Sequence, residues 1–413
     1  AVLAVMTTEH PLQPFSPRYF AHASHAGGGR SADGLYTYAQ EWHEVHGSAQ
    51  HVAAAAEAEA APAAPLAAPV LDAPIGLRQL QDFMVQPVAA FFRQRLKVFF
   101  DKEELTSQDD ELFAPNGLQA WQMQNQLLAS LQPWVREQGG AAPADELATR
   151  VQAVSAQLRR EGKLPLRDFA DVALQPLEQA AERALTVYAQ ALQHWPHAQA
   201  EPLELRSTDA ATGIQVVDWL RERRTTHLIA EDAYGAGASA SIYLSNGRLH
   251  SGSQLRYDRL IRHWVEHLAW HMAGQPLATV VCSESGIAVF APLGAHTAAA
   301  HWHKLLALWQ QGMCGPLPLP SKTALAWLDE QVPRYLLPAI YDDSRTGMGE
   351  VQRVAELART YPDYTEFDGN PEFERLARAL YQPMMAALSL VNGEYTQGLR
   401  KFSHGDDAAG GAA

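Results

Sequence analysis

Apolar residues recur at three- and four-residue spacing from Leu77 onward. Leu77, Leu80, Phe83, Met84, Phe91, Phe92, Leu96 and Phe99 form one helical stripe, and Pro87 in its midst predicts a kink or a division. The same period predicts helices over 117–138 (Trp121, Gln124, Leu127, Leu128, Leu131), 145–161 and 167–194, the last after the punctuation of Pro165. From residue 203 the pattern changes to short runs rich in β-branched and aromatic residues: Leu203 to Arg206, Gly213 to Leu220, Thr226 to Ala230 and Ser241 to Ser245. Asn246-Gly247 predicts a hairpin joining Ser241–Ser245 to Arg248–His250, because both turn residues tolerate positive φ. A helix follows over 255–273, with Ile261, Trp264, Leu268 and Met272 on one stripe, then strands at Ala278 to Cys282 and Gly286 to Phe290. The remainder, 296–402, reads as helices at 296–311, 323–337, 349–359 and 372–390, with a Pro-rich loop at 316–320.

The order helix, strands, helix, strand predicts an α+β fold with extensive helical additions. Residues 53–74 are nearly all Ala, Pro and Glu and cannot build a specific core, so they read as a mobile linker. The expected organisation is a segment 1–52 joining to a preceding domain, the linker 53–74, a helical part 75–200, an α/β core with C-terminal helices over 201–403, and a disordered tail 404–413. A second break reads at Gly139 to Pro143. The start, Ala1 to Met6, has neither a basic region nor a cleavage site and reads as the cut edge of a longer protein.

With 47% hydrophobic and 19% charged residues the chain is not a disordered one, and no run of roughly 18 apolar residues is present to cross a bilayer. The net charge of −14 disfavours uniform binding to nucleic acid or anionic lipid, so any DNA contact must be local. Two cysteines, Cys282 and Cys314, exclude a disulfide framework and a tetrathiolate metal site; free thiols suit the cytoplasm.

His10-Pro-Leu-Gln-Pro-Phe-Ser-Pro-Arg-Tyr-Phe20, together with Leu80 to Phe100, resembles the segment that opens the C-terminal part of the RecC family, the gamma chains of exodeoxyribonuclease V. Gly162 to Pro165, Gly213 to Leu220, Trp264 to Leu268, Gly312 to Leu317 and Ala326 to Leu328 follow in that family's order. The resemblance covers nearly the whole chain except the linker, the tail and an apparent insertion over 225–245. It implies a non-catalytic scaffold in a RecB–RecC–RecD helicase–nuclease that processes double-strand breaks. It also implies a restriction-endonuclease-like core, of the PD-(D/E)xK type, that has lost its active site while contacting double-stranded DNA ends and the RecB and RecD subunits.

The residues bear on that implication independently. A metal-dependent nuclease of this type needs an Asp on one strand and Asp or Glu, any residue, Lys on the next, so that two carboxylates hold Mg²⁺ and the Lys assists the attacking water. The lysines are Lys97, Lys102, Lys163, Lys304, Lys322 and Lys401, so the expected strands over 203–254 carry none. Glu161-Gly-Lys163 has the spacing but ends a helix. Asp218, Glu231 and Asp232 remain as candidate relics of a metal ligand, against pairing or solvation as their role. No catalytic residue, metal or cofactor is expected.

Between Arg221 and Arg262, seven arginines stand against four acidic residues, a local reversal of sign in an acidic chain. Arg221, Arg223, Arg224, Arg248 and Arg256 are the candidate DNA-binding residues, since a guanidinium presents a planar fork to phosphate oxygens; subunit salt bridges or plain solvation are the alternatives. The Asn246-Gly247 hairpin is a candidate wedge between strands, or an ordinary connection. His263, His267 and His271 form a row at helical spacing that resembles part of a zinc site, against a row bordering the Trp264–Leu268 stripe, half buried or facing a partner. His301 and His303 read as surface residues. No P-loop is present, and Ser283-Glu-Ser285 is not a nucleophile elbow. Two rival readings stay open: an active Mg²⁺-dependent DNA exonuclease, and a protein-binding module without DNA contact.

Overall fold

A computed structural model describes residues 10, 19, 65–100, 115–165, 168–226, 239–251, 254–343 and 349–390. The chain divides into Ala1–Pro65 and Leu66–Ala413. In the first unit His10 Nδ1 and the Tyr19 hydroxyl are 3.2 Å apart. Residues 11–18 of the opening motif, the linker up to residue 64, the strand expected over 227–230, Glu231, Asp232 and the tail lie outside the described residues.

In the second unit the first stripe divides where Pro87 predicts. Helix α1 (Leu77–Val85) stops at Gln86, whose φ of −154° and ψ of 90° are extended, and α2 (Pro87–Ala90) runs on into a π-helical turn, Phe91–Leu96. Helices α3 (Gly117–Glu137), α4 (Ala144–Arg160) and α5 (Asp168–His194) match the periodicity to within a residue or two. Asn116 caps α3, accepting the Gln119 amide at 2.9 Å while the Gln119 side chain accepts the Asn116 amide.

The strands are β1 (His197–Ala198), β2 (Leu203–Thr208), β3 (Gln215–Leu220), β4 (Arg223–Thr225), β5 (Ser239–Leu244), β6 (His250–Ser251), β7 (Gln254–Leu255), β8 (Ala278–Ser283), β9 (Gly286–Phe290) and β10 (Leu388–Leu390). Six make one mixed sheet in the order β1-β4-β5-β8-β9-β10, in which β5 and β8 are parallel and every other pair is antiparallel. The parallel pair is joined through α6 (Ile261–Met272). Period-two alternation places the helices on its two faces. Ala240, Ile242, Ala278, Val280, Cys282, Ile287 and Val289 pack with α3, α4 and α5, while Val281, Ala288 and Phe290 pack with α1, α6 and α7 (Ala295–Cys314). Because both faces are covered, β8 and β9 are buried along their whole length and read as continuous apolar runs.

One expectation about the strands is corrected. Ser241–Ser245 does not pair with Arg248–His250: β5 is held instead between β4 and β8, and His250–Ser251 pairs with Gln254–Leu255. Asn246-Gly247 is a bend leaving the sheet, not a projecting wedge. Gly247 has φ 94°, a Cβ there would meet the Arg259 guanidinium at 2.9 Å, and Arg259 Nη1 donates to the Asn246 carbonyl at 2.7 Å. The strands over 203–254 fall into three sheets. β2 and β3 make a separate antiparallel ribbon whose Leu205 and Val216 enter the core beside α1 and α6.

The C-terminal helices are shorter than the periodicity suggests, because prolines and caps divide them: α8 (Ser321–Leu328), α9 (Leu337–Tyr341), α10 (Glu350–Arg353), α11 (Ala355–Thr360), α12 (Pro371–Leu380) and α13 (Gln382–Ala386). Gly312 lets α7 close on α1, since a Cβ there would stand 2.5 Å from the Phe83 ring.

Candidate nucleic-acid interface

Asp218 lies on the β2–β3 ribbon and points at the start of α1. Its Oδ2 accepts the Leu77 amide at 2.8 Å and its Oδ1 accepts the Trp219 amide at 2.7 Å. This carboxylate satisfies a free amide of the first helical turn, where a negative charge is favoured. The strands of the six-stranded sheet, as described, carry no Asp, Glu or Lys. Glu161 and Lys163 pair with each other at 2.6 Å at the end of α4. Hydrogen bonds from Lys163, then Gln157 and Gln126, hold the Glu161 carboxyl down to about 2.

The five candidate arginines fall into three separate places. Arg221, Arg223 and Arg224 line a surface pocket of about 330 Å³ with Arg136, Glu201 and Glu222, beside the edge pair β1–β4. Arg221 is exposed. Arg223 is half-buried and its Nη1 donates to Gln275 Oε1. Arg224 is only 4% exposed; its Nε and Nη2 donate to the carbonyls of Trp195 and Pro196, at 2.7 and 2.8 Å. Burial lowers its pKa, yet the guanidinium satisfies carbonyls at the end of α5 and is oriented inward. Glu222, at φ 71°, turns back to pair with Arg136 at 2.7 Å.

Arg248 lines a second pocket, of about 320 Å³, with Arg183, His250, Glu284 and Ser285. Glu284, nearly buried, bridges Arg248 at 3.1 Å and Arg183 at 3.2 Å. Arg256 belongs to a third and larger pocket, where its Nε and Nη2 grip the two oxygens of Asp258 at 3.2 and 3.1 Å. Arg259, Lys322 and Arg353 line the same pocket. Lys322 and Arg353 lie far from the arginine run in sequence, and no local spacing points to them.

The histidine row is buried at its centre and half-buried at its two ends. His267 is fully buried, with Nδ1 3.0 Å from Thr279 Oγ1 and its ring stacked on Trp264. His271 Nε2 accepts the Leu293 amide at 2.9 Å, so Nδ1 carries the proton and donates to the His267 carbonyl at 2.8 Å. His263 packs against the Tyr243 ring, and burial lowers its pKa to about 4. Among the described residues no group of three or more His, Cys, Asp or Glu side chains is placed to hold a metal. His303 is exposed, as expected, and its Nδ1 is 2.6 Å from Asp209 Oδ1. Burial raises the Asp209 carboxyl, but hydrogen bonds from Thr212 and His303 leave it below its ordinary value. No helix among the described residues is long and apolar enough to cross a membrane.

The family model described as the RecC C-terminal domain matches residues 72–332. The chain is similar to the RecBCD enzyme subunit RecC of Escherichia coli (strain K12), with 25% identity over 365 residues. That alignment takes in 87% of this chain and 26% of the relative, so the chain spans about a quarter of the length of the curated protein it matches.

Proposed function

Because the chain belongs to the RecC C-terminal domain family, we propose that it is a non-catalytic part of a RecBCD-type helicase–nuclease, gripping broken-end duplex DNA and docking RecB and RecD in double-strand break repair. The relative's name, RecBCD enzyme subunit RecC, supports the place in such a complex. We read the core as restriction-endonuclease-like: α5, then the antiparallel strands β4 and β5, then α6 and the parallel β8 agree with that order.

One observation carries the non-catalytic reading. The acid that strand position would offer to a metal, Asp218, stands on a separate ribbon and caps α1. Mg²⁺ chemistry needs carboxylates converging on one sheet, with a lysine beside them. The exposed cation for duplex phosphate is Arg221, helped by Arg223, Arg248 and Arg256, each of which has a protein partner that a phosphate oxygen must rival. Arg224 supports this surface from beneath. Titrating a fluorescent linear duplex at two salt concentrations tests the reading: affinity should fall steeply as salt rises, and a salt-independent or undetectable affinity would leave a protein-binding module as the alternative.

A further inference from the structure

We propose that the pocket enclosed by Arg256, Arg259, Lys322 and Arg353 binds a phosphate-type oxyanion, with the Lys322 ammonium as its principal ligand. Four cations line a cavity of about 530 Å³ against two carboxylates, Asp258 and Asp329. Asp258 is already chelated by Arg256. The cavity is many times the roughly 30 Å³ that one water occupies, so an oxyanion enters with part of its hydration shell.

Lys322 decides the chemistry. It is more than half buried, and among the described residues its ammonium makes no ion pair and donates no hydrogen bond. Desolvation, then the nearby charge of Arg353, lowers its pKa; Asp258 and Glu350 pull it back up and Arg256 adds to the repulsion, and the balance stays downward. Neither carboxylate makes an ion pair with this half-buried ammonium, so a bound anion would supply the direct partner it lacks. Arg259 is held in place through Nη1 on the Asn246 carbonyl, while its Nε is buried without a partner.

Glu350 anchors the lysine's backbone. It accepts the Lys322 amide at 3.0 Å and the Thr323 amide at 2.8 Å, so the first turn of α8 is already neutralised from below. The pocket's positive potential therefore comes from side chains and not from the helix end. Tetrahedral oxyanions with several acceptor oxygens fit an ammonium flanked by guanidinium forks better than a carboxylate does.

This site rests on the duplex-gripping reading only if the phosphate belongs to DNA; a free phosphate or nucleotide presents the same chemistry. The test is heat unfolding of the full chain in sodium phosphate against sodium chloride at matched ionic strength. Phosphate should raise the transition saturably. Lys322→Met should weaken the response about tenfold, whereas Lys322→Arg retains it and Lys304→Met, on the exposed side of α7, leaves it unchanged. If Lys322→Met does not fold, Arg256→Gln should show a several-fold loss. A wild-type phosphate response in the folded Lys322→Met or Arg256→Gln protein overturns the proposal, even where duplex binding is intact. Duplexes ending in 5′-phosphate or 5′-hydroxyl identify the source: an effect of Lys322→Met on the phosphorylated duplex alone assigns a terminal phosphate, and a loss for inorganic phosphate alone assigns a free anion.

Discussion

Asp218 on β3 accepts the backbone amide of Leu77 at 2.8 Å, across 141 positions of the chain. The bond ties the β2–β3 ribbon to the first turn of α1, where Gly76 has no side chain to supply a cap. Ile75, just before it, forms a parallel bridge to Val216 on the same ribbon. Asp218→Ala should therefore cost about 1 kcal/mol of stability, the usual magnitude of a lost N-terminal cap. Chemical unfolding checks this, and duplex affinity of the folded variant should be unchanged. A loss of Mg²⁺-dependent activity on this substitution would instead make Asp218 a metal ligand.

Arg224 and Arg221 are three positions apart but predict opposite phenotypes. Arg224→Ala removes two hydrogen bonds from a buried guanidinium and should cost about 2–4 kcal/mol in unfolding experiments. Replacing exposed Arg221 and half-buried Arg223 with Ala should leave stability nearly unchanged. The dependence of log affinity on log salt should flatten by about one unit for each phosphate that is no longer neutralised. An unchanged slope would assign both residues to protein contacts.

Glu350 is 2% exposed and gathers the side chains of Gln86, Ser321 and Thr323 together with the amides of Lys322 and Thr323. Glu350→Ala strands these donors in the core, and the expected loss is about 3 kcal/mol or more, whereas Glu350→Gln should retain part of the stability. Thermal unfolding of the two variants side by side checks the order.

The helices up to α7 were legible in the sequence because each buries one stripe, and the 3.6-residue period survives whatever it packs against; beyond α7 the period ran on through the prolines and caps that divide the helices. The pairing of β5 was not. Asn246-Gly247 signals a turn, but the partner is chosen by Ala240 and Ile242, whose place on the α5 face requires β8 as neighbour. The two long-range caps escaped for the same reason: nothing local links Asp218 to Leu77, or Glu350 to Thr323. The arginine run was visible, but linear proximity spread it over three pockets, and Lys322 entered the largest of them from a distant helix.

Acid should weaken the fold through the histidine row. The His263 pKa falls from 6.5 to about 4 on folding, and those of His267 and His271 are displaced in the same direction by burial. Between about pH 6.5 and pH 4 the unfolded chain binds protons that the folded chain refuses, so stability is present above 6.5 and is lost as pH falls through that window. His263→Phe should flatten this acid limb in unfolding experiments from pH 7 to pH 4; an unaltered slope would show that His263 titrates normally in the folded chain.

The most direct measurement incubates the chain with linear duplex in Mg²⁺, following binding and strand length together across a salt series. The account predicts intact DNA throughout and a log affinity that falls linearly with log salt. Mg²⁺-dependent shortening that copurifies with the folded chain, or a duplex affinity indifferent to salt, would contradict it.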